Sequence, residues 1–144
     1  MKHETLMVRC YTFVACIALT FIISCARQGA QQADELLSLP VVSGSQLQTF
    51  VSESELPMLV EFGVDYRCDR CREMKRSVVE LGEKFEGRAE VGRVDFNANG
   101  TMVSQLGGTI CPTYVFFEDG QPVKTVNFPV SADILQSHLT AMSR

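Results

Sequence analysis

Two cysteines separated by two residues, Cys68-Asp69-Arg70-Cys71, follow the apolar run Met58-Leu59-Val60-Glu61-Phe62 and open a helical pattern of Met74, Val78, Leu81 and Phe85. That order sets a dithiol at a strand-to-helix turn. The unpaired backbone N–H groups of a helix N-terminus favour negative charge on the first sulfur, and the pair can close a small disulfide. The chemistry implied is thiol–disulfide exchange. Of the six cysteines, Cys10 and Cys16 fall in an apolar N-terminal segment and Cys25 at its end, which leaves Cys68, Cys71 and Cys111 for redox work in the body.

The N-terminal segment has the form of a secretory signal: Lys2 and Arg9 precede an almost unbroken apolar stretch from Tyr11 to Ile23. The stretch is too short to favour a spanning helix, which needs about 20 apolar residues. Its end, Ile22-Ile23-Ser24-Cys25, resembles the lipobox of bacterial lipoproteins, where cleavage before the cysteine is coupled to acylation of its sulfur. The expected organisation is a signal peptide over 1–24, a tether over 25–35 starting at a lipidated Cys25, and one folded domain over 36–144. An ordinary cysteine after a secretory signal, or an uncleaved anchor, is the alternative. Either way the domain is expected in the cell envelope, facing the periplasm or the cell exterior.

The whole chain has 13 basic and 17 acidic residues. Removing 1–24 takes away Lys2, Arg9 and Glu4 and leaves 11 and 16, a net charge of −5 that argues against nucleic acid as a partner. About 120 residues suffice for a single core.

The elements that must hold the dithiol follow from periodicity. Ser45 is expected to cap a short helix, with Gln48 completing a capping box, Leu47, Phe50 and Val51 facing inward, and Pro57 as its stop. The Met58 to Val64 run reads as a strand covered on both faces, interrupted only by Glu61. The helix after Cys71 runs to about Phe85 and ends near Gly87; Ala89 to Phe96 is a strand and Thr101 to Leu106 a short helix. Thr113 to Phe117, an Asp119-Gly120 turn and Val123 to Phe128 form a hairpin. Ser131 is expected to cap a last helix with Ile134, Leu135, Leu139 and Met142 on its apolar face.

This βαβαββα order, with the dithiol at the carboxyl end of a central strand, resembles thioredoxin. The resemblance spans about Val41 to Met142 and rests on Leu59-Val60-Glu61-Phe62, on Cys68-x-x-Cys71, on Val94-Asp95, and on Thr109-Ile110-Cys111-Pro112-Thr113 leading into an apolar strand. It implies an α/β fold with a central mixed sheet flanked by helices and no cofactor. Cys68 would be the exposed nucleophile and Cys71 the buried resolving thiol. Pro112 would be cis and lie against the dithiol, presenting backbone to a substrate strand together with Cys111 and Thr113. Glu61 stands where the family often has a buried acid that carries the Cys71 proton; an edge-facing, solvated glutamate is the alternative.

Three departures from the family pattern bear on the site. One extra residue lies between Phe62 and Cys68, so Tyr66 and Arg67 take the ground of the usual tryptophan, and the chain has no Trp. Asp-Arg replaces Gly-Pro between the cysteines, and Arg67, Arg70, Arg72, Lys75 and Arg76 crowd ten positions. Lys75 and Arg76 read as a solvated helix face paired with glutamates. Arg67 and Arg70 read as a rim that favours the Cys68 thiolate and touches substrate. The potential is therefore expected above the roughly −270 mV of thioredoxin itself. Finally, Cys111 precedes Pro112 as either an inert filler or a third thiol able to join a disulfide or a metal site.

The reading that joins these features is an envelope oxidoreductase exchanging disulfides with exported proteins, served by a redox partner that the sequence does not identify, and held to the membrane by its lipid. The alternative is a thiolate metal-binding or metal-delivery module built on Cys68, Cys71 and Cys111. Against that alternative stands the lack of a fourth ligand, since His138, the one histidine outside the signal, is expected to be solvated on the last helix. Arg72 after Cys71 excludes covalent c-type haem attachment. A binding module that has lost its activity is disfavoured because both cysteines and the Pro112 strand are present.

Overall fold

The run Met58–Gly63 offers water no polar face, and every one of its residues is buried in the computed structural model, which describes residues 39–144. The expected signal, the expected lipidation at Cys25 and the expected tether fall on residues outside the described ones. The elements are α1 (Gly44–Glu53), β1 (Met58–Gly63), α2 (Asp69–Lys84), β2 (Glu90–Asp95), a 3-10 turn (Asn97–Asn99), α3 (Gly100–Gln105), β3 (Thr113–Glu118), β4 (Gln121–Asn127) and α4 (Asp133–Met142). The sheet order is β2-β1-β3-β4, which puts the strand leading to the dithiol in the interior. β1 runs parallel to β2, with α2 as the crossover, and antiparallel to β3. Thus the expected α/β architecture, a mixed sheet flanked by helices, is the one observed. No described helix is long and apolar enough to cross a membrane.

Alternation along the strands divides the core in two. Leu59, Tyr114 and Phe116 pack with Met74, Val78 and Leu81 of α2 and with Leu135 and Leu139 of α4. Met58, Val60, Phe62, Val115 and Phe117 pack instead with Leu47 and Val51 of α1 and Val103 of α3. Cys71 lies one turn before Met74 on the buried stripe of α2, so the packing that holds this helix to the sheet also fixes Cys71. The β3–β4 hairpin turns on Asp119 (φ 51°) and Gly120 (φ 73°), the paired positive φ angles that an Asp-Gly type I′ turn requires.

Four expectations need correction. Helix α1 starts earlier than Ser45: Ser43 occupies the N-cap, without a side-chain bond to the helix backbone, and its hydroxyl donates to the Gln46 side chain at 2.6 Å. The Ser45/Gln48 capping box does not form, because both residues are already inside the first turns. The N-cap of α4 is Ala132; the Ser131 hydroxyl instead accepts the Asp133 N–H at 3.3 Å in a local turn. Ile134 is 44% exposed, since the buried stripe of α4 is set by Leu135 and Leu139. His138 is half-buried, packed edge-on against the Phe116 ring with centroids 5.2 Å apart, because it shares the face of α4 that turns to the sheet.

Candidate active site

Cys68 is the N-cap of α2: its extended backbone ends the β1–α2 loop, and its sulfur accepts the Cys71 N–H at 3.0 Å. A donor aimed at that sulfur favours its anionic form. The two cysteines are joined as a disulfide, with Cα atoms 5.2 Å apart. Cys71 is 3% exposed and Cys68 half-buried, so only the first sulfur is open to a partner.

The Cys111–Pro112 peptide is cis. The Cys111 sulfur lies 3.3 Å from that of Cys71 and 3.8 Å from that of Cys68. Burial pushes the Cys111 thiol pKa up; a hydrogen bond from the Val64 backbone pulls it down, and the Glu61 carboxylate adds a further upward push. The loop before Pro112 is clamped by the edge strand: Asn127 accepts the Thr109 N–H at 3.0 Å and donates to the Gly107 carbonyl at 3.1 Å. Thr113 is fully buried, its hydroxyl 2.7 Å from the Ile110 carbonyl and 2.8 Å from Asn127 Oδ1; its one proton can serve only one of them at a time. Thr113 therefore braces the loop from inside, which corrects its expected place as a substrate contact.

Beside Cys68 a groove of about 540 Å³ is lined by Tyr66, Arg67, Arg70, Ile110, Cys111 and Phe128, among others. Arg67 adopts a positive φ of 57° and lies over the Tyr66 ring, 4.9 Å from its centroid. Arg70 pairs with Glu73 at 2.9 Å and covers the Phe128 ring at 5.1 Å. The expectation that Arg70 stands apart from helical pairing is therefore wrong, for the i, i+3 spacing brings Glu73 to it. Asp69 is neutralised in the same way by Arg72 at 2.6 Å, and Arg76 pairs with Glu80 as expected.

Glu61 is 1% exposed, which excludes the solvated alternative. Strand register explains its company: it pairs with Arg93 on one side and Tyr114 on the other, so the three side chains form one row across β2, β1 and β3. The Tyr114 hydroxyl donates to Glu61 Oε1 at 3.3 Å, and Arg93 Nε stands 3.7 Å from Oε2 while its Nη1 holds Asp65 at 2.6 Å. Gly63 leaves room for this row, because a Cβ there would come within 2.8 Å of Glu61 Oε1. Burial raises the Glu61 pKa, and Arg93 and the Tyr114 hydroxyl only partly offset it. Sequence reasoning missed Arg93, Asn127 and Phe128. A charge in the apolar β2 run was the one available signal for Arg93.

The sign of the Glu61 shift gives a test. Its folded pKa lies above the reference 4.5, so the folded chain holds this proton more tightly than the unfolded one. The resulting stability is present in full below pH 4.5 and is lost as pH rises through the folded pKa. Glu61→Gln keeps an acceptor for Tyr114 and cannot ionise. It is expected to match the parent in urea midpoint at pH 4 and to exceed it at pH 8; an equal gap at both values would contradict the buried-carboxylate account.

Comparison with known proteins agrees with this geometry. A family model described as Thioredoxin matches residues 38–141. The thioredoxin of Synechocystis sp. is 34% identical over 100 residues, covering 69% of this chain and 92% of its own length. Thioredoxin 1 of Synechococcus elongatus is 32% identical over 102 residues, with 68% and 94% covered. Among solved structures, a mutant thioredoxin from Halobacterium salinarum superposes with a TM-score of 0.65 at 26% identity, over 73% of this chain and 90% of that one. Fasciola hepatica thioredoxin, at 22% identity, shares the fold with a TM-score of 0.63 over 72% of this chain and 99% of its own.

Proposed function

Because the chain belongs to the thioredoxin family and its Cys68–Cys71 pair makes it a thiol–disulfide oxidoreductase, we propose that it exchanges disulfides with exported proteins in the cell envelope, held to the membrane by a lipid on Cys25. The observation that carries this reading is the pairing, in one chain, of the redox dithiol with a signal-like segment that closes on Ile22-Ile23-Ser24-Cys25.

In the reducing direction the Cys68 thiolate attacks one sulfur of a substrate disulfide, and the other substrate sulfur leaves as a thiolate. Cys71 then gives up its proton and attacks the Cys68 sulfur of the mixed disulfide. The substrate departs with two electrons and, after protonation, as a dithiol; the enzyme keeps the Cys68–Cys71 disulfide. A redox partner dithiol returns the two electrons. Glu61, buried with a raised pKa and close enough to perturb Cys111, is the group suited to take the Cys71 proton. Arg67 and Arg70 form the basic rim of the groove that receives the substrate segment, and Ile110 and Cys111, which precede the cis Pro112, line it as well. Reversing the same steps oxidises a substrate, and the redox partner sets the direction.

Expression in a Gram-negative host with an alkyne-tagged fatty acid tests the location. The parent chain is expected in the membrane fraction, lipid-labelled, and Cys25→Ser in the unlabelled soluble pool. Recovery of both forms in the cytoplasm, or an unlabelled parent, would overturn the proposed anchor and the exported substrates with it.

A further inference from the structure

Cys111 takes no part in the exchange steps, yet its sulfur lies against both redox sulfurs. We propose that the reduced site binds one Cu(I) ion through the sulfurs of Cys68, Cys71 and Cys111.

The geometry is nearly in place before any ion arrives. Three sulfurs about 2.3 Å from a common metal, in one plane, stand roughly 4 Å apart. Two of the three separations are already 3.3 and 3.8 Å. The third pair, Cys68 and Cys71, is joined as a disulfide, and reduction frees both sulfurs to spread around an ion. Each sulfur is held by a different structural device. Cys71 belongs to the packed stripe of α2, Cys68 is that helix's N-cap, and Cys111 precedes Pro112 in a loop clamped by Asn127.

The donor set selects the ion. Among the described residues, the potential ligand atoms lying within 4.8 Å of one another here are these three sulfurs, with no histidine or carboxylate. Soft thiolates suit Cu(I), which accepts three ligands, whereas structural Zn(II) asks for a fourth. The surroundings complete the site: the Cys71 N–H points at the Cys68 sulfur and the Val64 backbone bonds the Cys111 sulfur, the kind of outer hydrogen bonds that orient metal thiolates. The ion would be partly shielded, since Cys71 is buried and the other two are half-buried.

The steps balance simply. A dithiol donor passes two electrons and two protons to the Cys68–Cys71 disulfide. Cu(I) then displaces the protons of the thiols it binds, which go to solvent, and no electron moves. A loaded site has both redox sulfurs coordinated, so copper and substrate disulfides exclude each other.

The test uses the full-length chain in mild detergent, with Cys10, Cys16 and Cys25 changed to Ser so that only the body thiols remain. It is reduced with a phosphine, titrated anaerobically with Cu(I) against the chelator bicinchoninate, and examined by X-ray absorption. One ion per chain with three sulfur neighbours is expected. Because losing an outer-shell partner alone costs about 10- to 100-fold in affinity, losing a ligand by Cys111→Ser is expected to cost at least about 100-fold. The far-ultraviolet spectrum of that variant reports whether its fold is kept. A two-sulfur shell in the parent, no retention against the chelator, uptake of Zn(II) in place of Cu(I), or a folded Cys111→Ser that titrates like the parent would each overturn the proposal. Disulfide exchange assayed on the copper-free parent reports on the oxidoreductase reading separately.

Discussion

Cys71→Ser is expected to reduce multiple-turnover disulfide exchange by about 10³-fold or more, because it removes an attacking group held at an effective concentration no free thiol can match. The first half of the reaction survives, since Cys68 is the sulfur open to a partner. The product of that half-reaction is a mixed disulfide, and the variant should accumulate it with substrate. The structure adds a complication. Cys111 lies 3.8 Å from the Cys68 sulfur, near enough to take over the second attack. Burial raises its pKa, so little of it is thiolate at neutral pH and release through it should be slow. Release from Cys71→Ser should therefore quicken as pH rises, leaving a Cys68–Cys111 disulfide, whereas Cys71→Ser/Cys111→Ser should hold its adduct at every pH. The lifetimes of the trapped complexes, followed by mass spectrometry from pH 6 to 9, decide the matter. Equal lifetimes in the single and double variants would show that Cys111 cannot reach the mixed disulfide, and parental turnover in Cys71→Ser would remove Cys71 from the mechanism.

What the sequence conveyed and what it hid divide along the range of the interactions. A strand buried on both faces announces itself in Met58 to Phe62 and a two-residue hairpin in Asp119-Gly120, since each depends only on local period or turn chemistry, whereas the burial of Cys71 was implied only by the family resemblance. Glu61 was legible as an oddity, but its partner was not. Arg93 meets it through the register of β1 on β2, which nothing local encodes. The same holds for Asn127, whose hold on the Gly107 to Thr109 loop arises only when β4 pairs beside β3. Phe128, read as the end of a strand, turns out at φ 47° to leave β4 and carry Arg70 on its ring. The cap of α1 failed for another reason: serines at 43 and 45 present equivalent local signals, and the helix starts at the first of them.

Arg93→Met is expected to lower stability by about 3 kcal/mol at pH 8, the low end for leaving a buried charge without its partner, and by much less at pH 4. The low end applies because Glu61 can escape its unpaired state by taking a proton. Arg93 is the opposing charge that holds the Glu61 pKa down against burial, so its removal raises that pKa further and widens the pH range over which the folded chain is penalised. The same substitution breaks the ion pair with Asp65, an exposed carboxylate, which should cost about 0.5 kcal/mol, nearly independent of pH in this range. Glu61→Gln separates the two contributions. In that background the pH-dependent part should vanish, leaving the small Asp65 effect and a coupling energy of about 2.5 kcal/mol between positions 61 and 93 at pH 8. The same shift should appear in function: if Glu61 takes the Cys71 proton, the pH at which Arg93→Met reaches half its exchange rate moves upward, and Glu61→Gln shows no such inflection. Urea titrations of the four chains at both pH values, with exchange rates alongside, test the row as a unit. An Arg93→Met penalty that is the same at pH 4 and pH 8, or the same with and without the carboxylate, would mean that Arg93 supports the sheet by packing alone and that the charge across β1 and β2 plays no part in setting the proton on Glu61.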